Sequence, residues 1–230
     1  MTKVNEEAKN KCSEYLKLIL ERNEFINLTA ITDYDEAYQK HIVDSLSCAD
    51  EEEMLKAKTV VDVGTGAGFP GVPLAIAFPE KDFLLVDSLN KRLKVIDEFT
   101  EQLEINNVTT LHSRAEDIGR NPLYREKYDL CVSRAVARLD VLVEWCLPLV
   151  KVGGCFIAYK GENVSRETSE AEKAIETLGG RIKDVRKVND GDEEISGHVL
   201  VVIEKVKPTP KAYPRPTKLA KNNPIGKASR

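Results

Sequence analysis

Apolar positions along the chain change period once. In the first 50 residues they recur at helical spacing, as Ala8, Cys12, Tyr15, Leu16 and Ile19, then Tyr34, Ala37, Tyr38, His41, Ile42 and Leu46. That spacing lines one face of a helix, so two helices are expected, the second capped by Asp33 or Asp35. From Thr59 short β-branched runs alternate with helical stretches. TVVDV (59–63), DFLLVD (82–87), VTTLH (108–112), YDLCVS (128–133) and GCFIAYKG (154–161) read as strands. VPLAIAF, an amphipathic stretch from about Lys91 to Glu104, LDVLVEWCLPLV and roughly Ser165 to Leu178 read as helices. Strand then helix, repeated at this interval, predicts a parallel sheet with helices on both faces.

The last two strand-like runs break that rhythm. RIKDVRKV (181–188) and HVLVVIEKV (198–206) are separated only by NDGDEEISG. So short a link cannot carry a crossover helix, and the pair is expected to be an antiparallel hairpin. The expected fold class is α/β: a doubly wound, Rossmann-like, seven-stranded sheet with a terminal antiparallel hairpin and an N-terminal helical extension. Five parallel strands plus a terminal hairpin resemble the sheet of S-adenosylmethionine-dependent methyltransferases, whereas a symmetrical dinucleotide domain would add a sixth parallel strand. The expected division is residues 1–50 as the helical extension packed on the core, 51–206 as the main domain and 207–230 as a tail.

Composition narrows the class. With 42% hydrophobic and 31% charged residues in 230, the chain reads as globular and large enough for one substantial core. No apolar run approaches the roughly 18 residues of a membrane span, and the polar start MTKVNEEAKNKCSEY does not resemble a secretion signal. The five cysteines are scattered without CxxC spacing, which points to reduced thiols in a cytoplasm. His112 and His198 have no companions at ligand spacing, so no metal is assigned. The net charge of −4 is uneven: Lys207, Lys211, Arg215, Lys218, Lys221, Lys227 and Arg230 give the tail +7 with no acid, leaving about −11 elsewhere. Such a tail either meets a polyanion or is a solvated extension.

The densest chemistry is GTGAGFPG, Gly64 to Gly71, after the first strand. Read from Gly66 it matches the dinucleotide pattern GxGxxG, a weak signal alone. Read from the strand end at Gly64 it is GxGxG, with Phe69 where a third dinucleotide glycine belongs. Pro70 also removes an N–H from the helix entrance that a pyrophosphate would use. S-adenosylmethionine has no phosphate and needs only close backbone approach. Asp87 ends the second strand, where a carboxylate can accept two ribose hydroxyls, a device both cofactors share; its other role would be to cap the helix that follows. Ser113-Arg114-Ala115-Glu116-Asp117 follows the third strand, where a loop would lie along an adenine. These stations favour the methyl donor over a dinucleotide.

After the fourth strand stands Ser133-Arg134-Ala135, with neither the Asn/Asp-Pro-Pro-Tyr of amino-group methylation nor a catalytic cysteine. Cys131 and Trp145 read as core. The expected target is therefore an atom with its own lone pair, such as a purine ring nitrogen, methylated by direct displacement through alignment and desolvation.

Asn27-Leu28-Thr29, His41-x-x-Asp44-Ser45-Leu46, Asp62-Val-Gly-Thr-Gly-Ala-Gly-Phe-Pro-Gly71, Asp87-Ser88-x-x-Lys91-Arg92, Ser113-Arg114-Ala115-Glu116, Ser133-Arg134-Ala135, Lys160-Gly161 and Tyr213-Pro214-Arg215 occur in one order. Together they resemble the small-subunit ribosomal RNA methyltransferase G family, also called glucose-inhibited division protein B, from about Glu24 to Ile225. The resemblance implies a monomeric cytoplasmic enzyme that uses S-adenosylmethionine to methylate N7 of a guanine in the 530 loop of 16S ribosomal RNA, on the RNA or the small subunit, with no membrane role. It places Gly64, Phe69, Ala115, Glu116 and Arg134 at cofactor positions, beside Gly66, Gly68, Asp87 and Ser88 from the loop and second strand. It makes Arg134, Lys160, His41 and Asn27 the catalytic candidates. Lys91, Arg92, Arg114, Arg215, Lys218 and Lys221 are the RNA-binding candidates. The tail departs from the family pattern, reading Pro214-Arg215-Pro216-Thr217-Lys218 without its glycine turn.

Local rules bear on several of these. Lys91 and Arg92 follow Asn90, an expected N-cap, and cations there oppose the helix dipole by roughly 0.3–1 kcal/mol each, which favours contact with phosphate or target over solvation. Arg134 and Lys160 end the fourth and fifth strands, where open α/β sheets bind ligands. A small-molecule methyltransferase, a methyltransferase of another RNA, an NAD-dependent oxidoreductase and a non-catalytic RNA-binding module remain as alternatives.

Overall fold

A computed structural model describes residues 4–161, 163–188 and 198–227. The link 189–197 of the expected hairpin and the tail's Arg230 lie outside them. The described residues fall into two compact units that divide after His112.

In the first unit, α1 (Glu6–Asn23) starts where the Asn5 side chain accepts the Ala8 N–H at 2.8 Å, and it buries the expected face of Ala8, Cys12, Tyr15, Leu16 and Ile19. The second helical stretch is broken rather than continuous. Asp33 caps α2 (Tyr34–Ala37) through the Glu36 N–H, a π-helical turn covers Tyr38–Val43, and α3 (Asp44–Leu46) follows. The wider turn displaces the face by one residue, so apolar spacing alone could not reveal it. A five-residue helix, α4 (Glu52–Lys56), precedes β1 (Thr59–Val63). Then come α5 (Gly71–Ala77), β2 (Asp82–Asp87), α6 (Asn90–Gln102) and β3 (Val108–His112). β1 pairs in parallel with β2, and β2 with β3.

The second unit opens with α7 (Ala115–Arg120), where the sequence reading has only a loop. β4 (Tyr128–Arg134) and α8 (Leu139–Cys146) follow. α8 ends four residues before the expected helix, because Pro148 lacks an N–H and the chain turns through a 3-10 segment, Leu147–Leu149. β5 (Val150–Lys160) therefore starts before Gly154. Its pairing with β4 jumps from Tyr128↔Val150 to Leu130↔Cys155, a bulge that Gly153 (φ 88°) and Gly154 allow. A Cβ on Gly154 would stand 2.5 Å from the Asp129 carbonyl oxygen. After α9 (Val164–Thr177) come β6 (Gly180–Lys187) and β7 (Val199–Lys205), antiparallel to each other, with β7 also antiparallel to β5. The described part of the tail, 207–227, includes α10 (Thr217–Asn222).

The seven strands follow the order β3-β2-β1-β4-β5-β7-β6, mixed because of the terminal hairpin. The α/β fold class is as expected. Cys131 and Trp145 lie in the core, all five cysteines are buried and none is in a disulfide, and no described helix is long and apolar enough to cross a membrane.

Candidate functional site

The glycine loop is built around a buried carboxylate in β1. Asp62 is fully buried, and its Oδ2 accepts the Thr65 hydroxyl at 2.6 Å and the Gly71 N–H at 2.9 Å. Most other amides of the loop also turn inward. Gly64 and Thr65 donate to the Val86 carbonyl, Gly68 and Phe69 to that of Thr65, and Val72 to that of Gly68. Gly66 donates to Asp87 Oδ2 at 2.9 Å. Pro70 has no N–H to give. A phosphate cradle needs several amides aimed outward at one point, and this loop has directed them elsewhere.

The glycines divide by role. A Cβ on Gly68 would overlap the Tyr15 hydroxyl, which donates to the Ala67 carbonyl at 2.9 Å, and one on Gly71 would meet Asp62 at 2.8 Å. Both are packing glycines. At Gly66 (φ 61°) nothing lies within 4 Å of the missing Cβ, so open space adjoins the backbone there. Asp87 borders it, buried to 7% exposure, with Oδ2 on Gly66 and Oδ1 accepting the Leu89 N–H at 2.8 Å. Each oxygen keeps a lone pair for a hydroxyl. An open glycine beside a hydroxyl acceptor, with no anion cradle, fits an adenosyl group without phosphates. Neither Asp87 nor Asn90 caps α6: Asp87 bonds the amide of Leu89, the N-cap residue, which has no side-chain cap hydrogen bond, and Asn90 is the first residue of the helix. Ser88 is exposed, and its carbonyl meets the His112 ring at 3.1 Å.

His41, within the π-helical turn, stacks on Phe69 with centroids 4.8 Å apart and rings 10° from parallel. A 2.7 Å hydrogen bond joins its Nε2 to Thr29 Oγ1. Asn23 Oδ1 accepts the N–H groups of Leu28 and Thr29, fixing the segment on which the Asn27 side chain stands exposed. His41, Phe69 and Asp87 are thus tied to the glycine loop. Lys91 is exposed and Arg92 half-buried in the first turn of α6.

In the second unit, Arg114 stands exposed before α7, and Ala115 and Glu116 form its first turn. Glu116 is buried, and its Oε1 accepts a hydrogen bond from the Thr217 hydroxyl of the tail. Arg134 ends β4, and the next residue, Ala135, adopts a left-handed backbone (φ 57°) unusual for a non-glycine. Lys160 holds that turn. Its Nζ donates to the Ala137 carbonyl and to Glu167 Oε2, both at 2.8 Å, while Glu167 accepts the Leu139 N–H at 2.9 Å. With its side chain only 8% exposed, the ammonium is directed inward.

Arg215 is also directed inward. Its guanidinium grips the fully buried Glu144 through Nε (2.9 Å) and Nη2 (2.7 Å), and its backbone N–H adds a third bond at 2.6 Å. Glu144 holds its pKa above the usual arginine value despite burial. Lys227 reaches Glu170 at 2.7 Å and Asp140 at 3.1 Å, and with Arg166 it pulls the Glu170 carboxyl down to about 2. Lys221 lies over the Trp145 ring, 5.5 Å from its centroid, and Lys218 is exposed.

Sequence reasoning missed Asp62, Glu144, Glu167 and Thr217 as organising residues. Two of them carry a signal: Asp62 interrupts the apolar run TVVDV and Glu144 interrupts LDVLVEWC. A lone carboxylate in a run of buried residues must find internal donors. Glu167 and Thr217 carry none, since their partners are distant in sequence.

The family model for rRNA small subunit methyltransferase G matches residues 8–196. The chain belongs to this family. It is 46% identical over 221 residues to the ribosomal RNA small subunit methyltransferase G of Clostridium novyi, covering 96% of this chain and 90% of that one. Its likeness to the protein of the same name from Lachnoclostridium phytofermentans is 49% over 201 residues, or 87% and 83% of the two chains. Among solved structures, a putative O-methyltransferase from Klebsiella pneumoniae superposes with a TM-score of 0.59 at 13% identity, covering 84% of this chain and 90% of that one. TYW2 from M. jannaschii, in complex with AdoMet, gives 0.55 at 18%, covering 77% and 80%. At such identities these two structures speak for the fold alone, which is that of methyltransferases.

Proposed function

We propose that the chain is an RNA methyltransferase that moves a methyl group from S-adenosylmethionine to N7 of a guanine in the 530 loop of 16S ribosomal RNA, acting in the cytoplasm as a monomer. Family membership supports the RNA substrate class. The observation that carries the choice of cofactor is the loop whose Gly64, Thr65, Gly66, Gly68, Phe69 and Gly71 amides are taken up internally, beside the open face of Gly66 and the acceptor Asp87. A dinucleotide would require the amide cradle that this loop lacks.

Bound S-adenosylmethionine supplies a methyl carbon on a positively charged sulfonium. The residues of the chain do the rest by binding and exclusion. Asp87 accepts the ribose hydroxyls, and Gly66 lets the backbone approach. Ala115, Glu116 and Arg134 occupy the family's remaining cofactor positions. Because N7 of guanine already carries a lone pair, the residues would need only to align it with the methyl group and exclude water, with no general base among them. The guanine must be unpaired or turned out, because the A-form major groove hides N7. Exposed Lys91, Arg114 and Lys218, with Arg92 and Lys221, are suited to hold phosphates, which positions the strand without reading its sequence. Lys160 and Arg215, whose charges are taken up inside the fold, act through the turns they hold. Asn27, exposed two residues before the Thr29 that bonds His41, is suited to contact the target.

Incubation with labelled S-adenosylmethionine and 16S ribosomal RNA, naked or in the small subunit, followed by mass mapping of the modified nucleotide, tests this reading. Label at a 7-methylguanine in the 530 loop is the expected result. Label elsewhere would redirect the specificity, and no transfer to RNA would refute the reading.

A further inference from the structure

The tail and α7 form one packed element. α7 has only six residues, too few to hold a helix in water without tertiary support. Besides α8 and the Leu147–Leu149 turn, it is supported by the segment Tyr213–Thr217, about a hundred residues later. The Thr217 hydroxyl donates to Glu116 in the first turn. Gly119 lies so close to Pro214 that a Cβ there would stand 2.9 Å from the proline ring. Arg120 Nε donates to the Pro214 carbonyl at 2.7 Å. Just beyond α7, the Arg125 guanidinium bridges the Gly119, Tyr213 and Thr209 carbonyls at 2.7–2.8 Å. The bidentate Arg215–Glu144 pair anchors the same segment to α8.

These contacts span both ends of α7, yet only the one at Glu116 reaches the turn that holds Ala115 and Glu116. We propose that Thr217 is a positioning residue for methyl-donor binding, and that the docked tail and the donor stabilise each other through the first turn of α7. The inference rests on the reading that Ala115 and Glu116 border the donor. It assigns the tail an internal task that its positive charge does not suggest. Glu116 is buried, and the Thr217 hydroxyl bonds it; without that donor the carboxylate loses this internal partner and the turn loses its tie to the tail. Linkage then requires the converse, that bound donor slows the opening of the tail.

The test compares Thr217→Val, which keeps shape and removes the donor, with Thr217→Ser, which restores it. The probe is S-adenosylhomocysteine, titrated by calorimetry, with thermal unfolding and RNA affinity measured alongside. Thr217→Val is expected to weaken the probe about three- to tenfold, the scale of one lost hydrogen bond. Thr217→Ser should recover it, with Tm and RNA affinity near those of the unchanged protein. In hydrogen exchange, the probe should raise protection of the amides from Tyr213 to Asn222, and Thr217→Val should abolish the rise. Unchanged probe affinity in Thr217→Val overturns the inference. So does a loss that tracks a fall in Tm and is not restored by serine, which would make the contact purely structural. An unchanged protein that binds no probe overturns the functional reading itself, and the coupling with it.

Discussion

The glycine loop and the tail both hang on buried carboxylates, Asp62 and Glu144, but in opposite ways. Asp62 binds Thr65 and Gly71, three and nine residues away. Its work is finished within one turn of chain, and it organises backbone amides. Glu144 binds Arg215, 71 residues away, and joins two charged side chains. The first arrangement shapes a surface by deciding where amides point. The second fastens one segment to another and leaves no surface of its own. A buried acid near glycines in sequence therefore marks a site, while one that meets a distant arginine marks an attachment.

Substitutions at the two carboxylates should separate these roles. Glu144→Ala leaves Arg215 without its partner and the tail without its anchor. It should cost about 3–5 kcal/mol, as breaking buried ion pairs does, visible in urea unfolding together with faster proteolysis after Val206. Asp62→Ala strands the Gly71 N–H and the Thr65 hydroxyl, at about 2–3 kcal/mol, but its larger effect should be on the donor, because the loop loses its shape. If Glu144→Ala abolished donor binding at unchanged stability, or Asp62→Ala left binding intact, the contrast would collapse. Gly66→Val should be sharper still. It forces a β-branched residue into a left-handed backbone at roughly 1–2 kcal/mol and fills the open space. Donor affinity should fall beyond detection while the fold survives; titration of S-adenosylhomocysteine with a parallel melt reads both.

How much of this was readable beforehand follows the same division. The parallel strands, the terminal hairpin, the face of α1 and the GxGxG loop were legible, because each depends on neighbours within a few positions. Asp87 was legible as a strand-end carboxylate, but not its hold on the amides of Gly66 and Leu89. What escaped depends on distance or on extra residues. The π-helical turn around His41 hides inside apparent helical spacing. β5 begins early because a bulge lets 151–154 pass opposite one residue of β4. The inward-facing Lys160 and Arg215 were read as ligand-facing cations, since nothing local shows that Glu167 and Glu144 claim them. Charge along a sequence counts ions without saying which are already paired.

The two ionic regions of the second unit also respond differently to pH. Arg166 and Lys227 hold Glu170 near 2 when folded, against an ordinary 4.5. Between those values the unfolded chain binds more protons, so this contribution is complete above about pH 4.5 and is lost as pH falls toward 2. Lys205 is the reverse case in residue type but not in sign. Buried against Leu147, Thr209 and Glu126, its ammonium falls from 10.5 to about 8, burial outweighing the attraction of Glu126. Again the unfolded chain binds the extra proton, here between pH 8 and 10.5, so stability from this group rises with pH across that window. Unfolding midpoints compared with Lys227→Ala in acid and Lys205→Met in alkali should show each slope flattened; an unaltered slope in either variant would remove that group from the account.

The smallest expected effect tests whether any of the tail's charge faces outward. Lys218 is exposed and Lys221 only leans on Trp145, whereas Arg215 and Lys227 are engaged by acids. Replacing Lys218 and Lys221 together by glutamine should leave stability and donor affinity unchanged and reduce the salt slope of RNA binding by up to about 1.4, at roughly 0.7 per single-stranded phosphate contact. Glu144→Ala sharpens the result. It frees Arg215 from its carboxylate, so it should raise the salt slope if the loosened arginine finds phosphate, although the protein itself is weakened. A slope that ignores Lys218 and Lys221 would mean that the tail's basic character serves only its own docking. RNA contact would then fall to Lys91, Arg92 and Arg114.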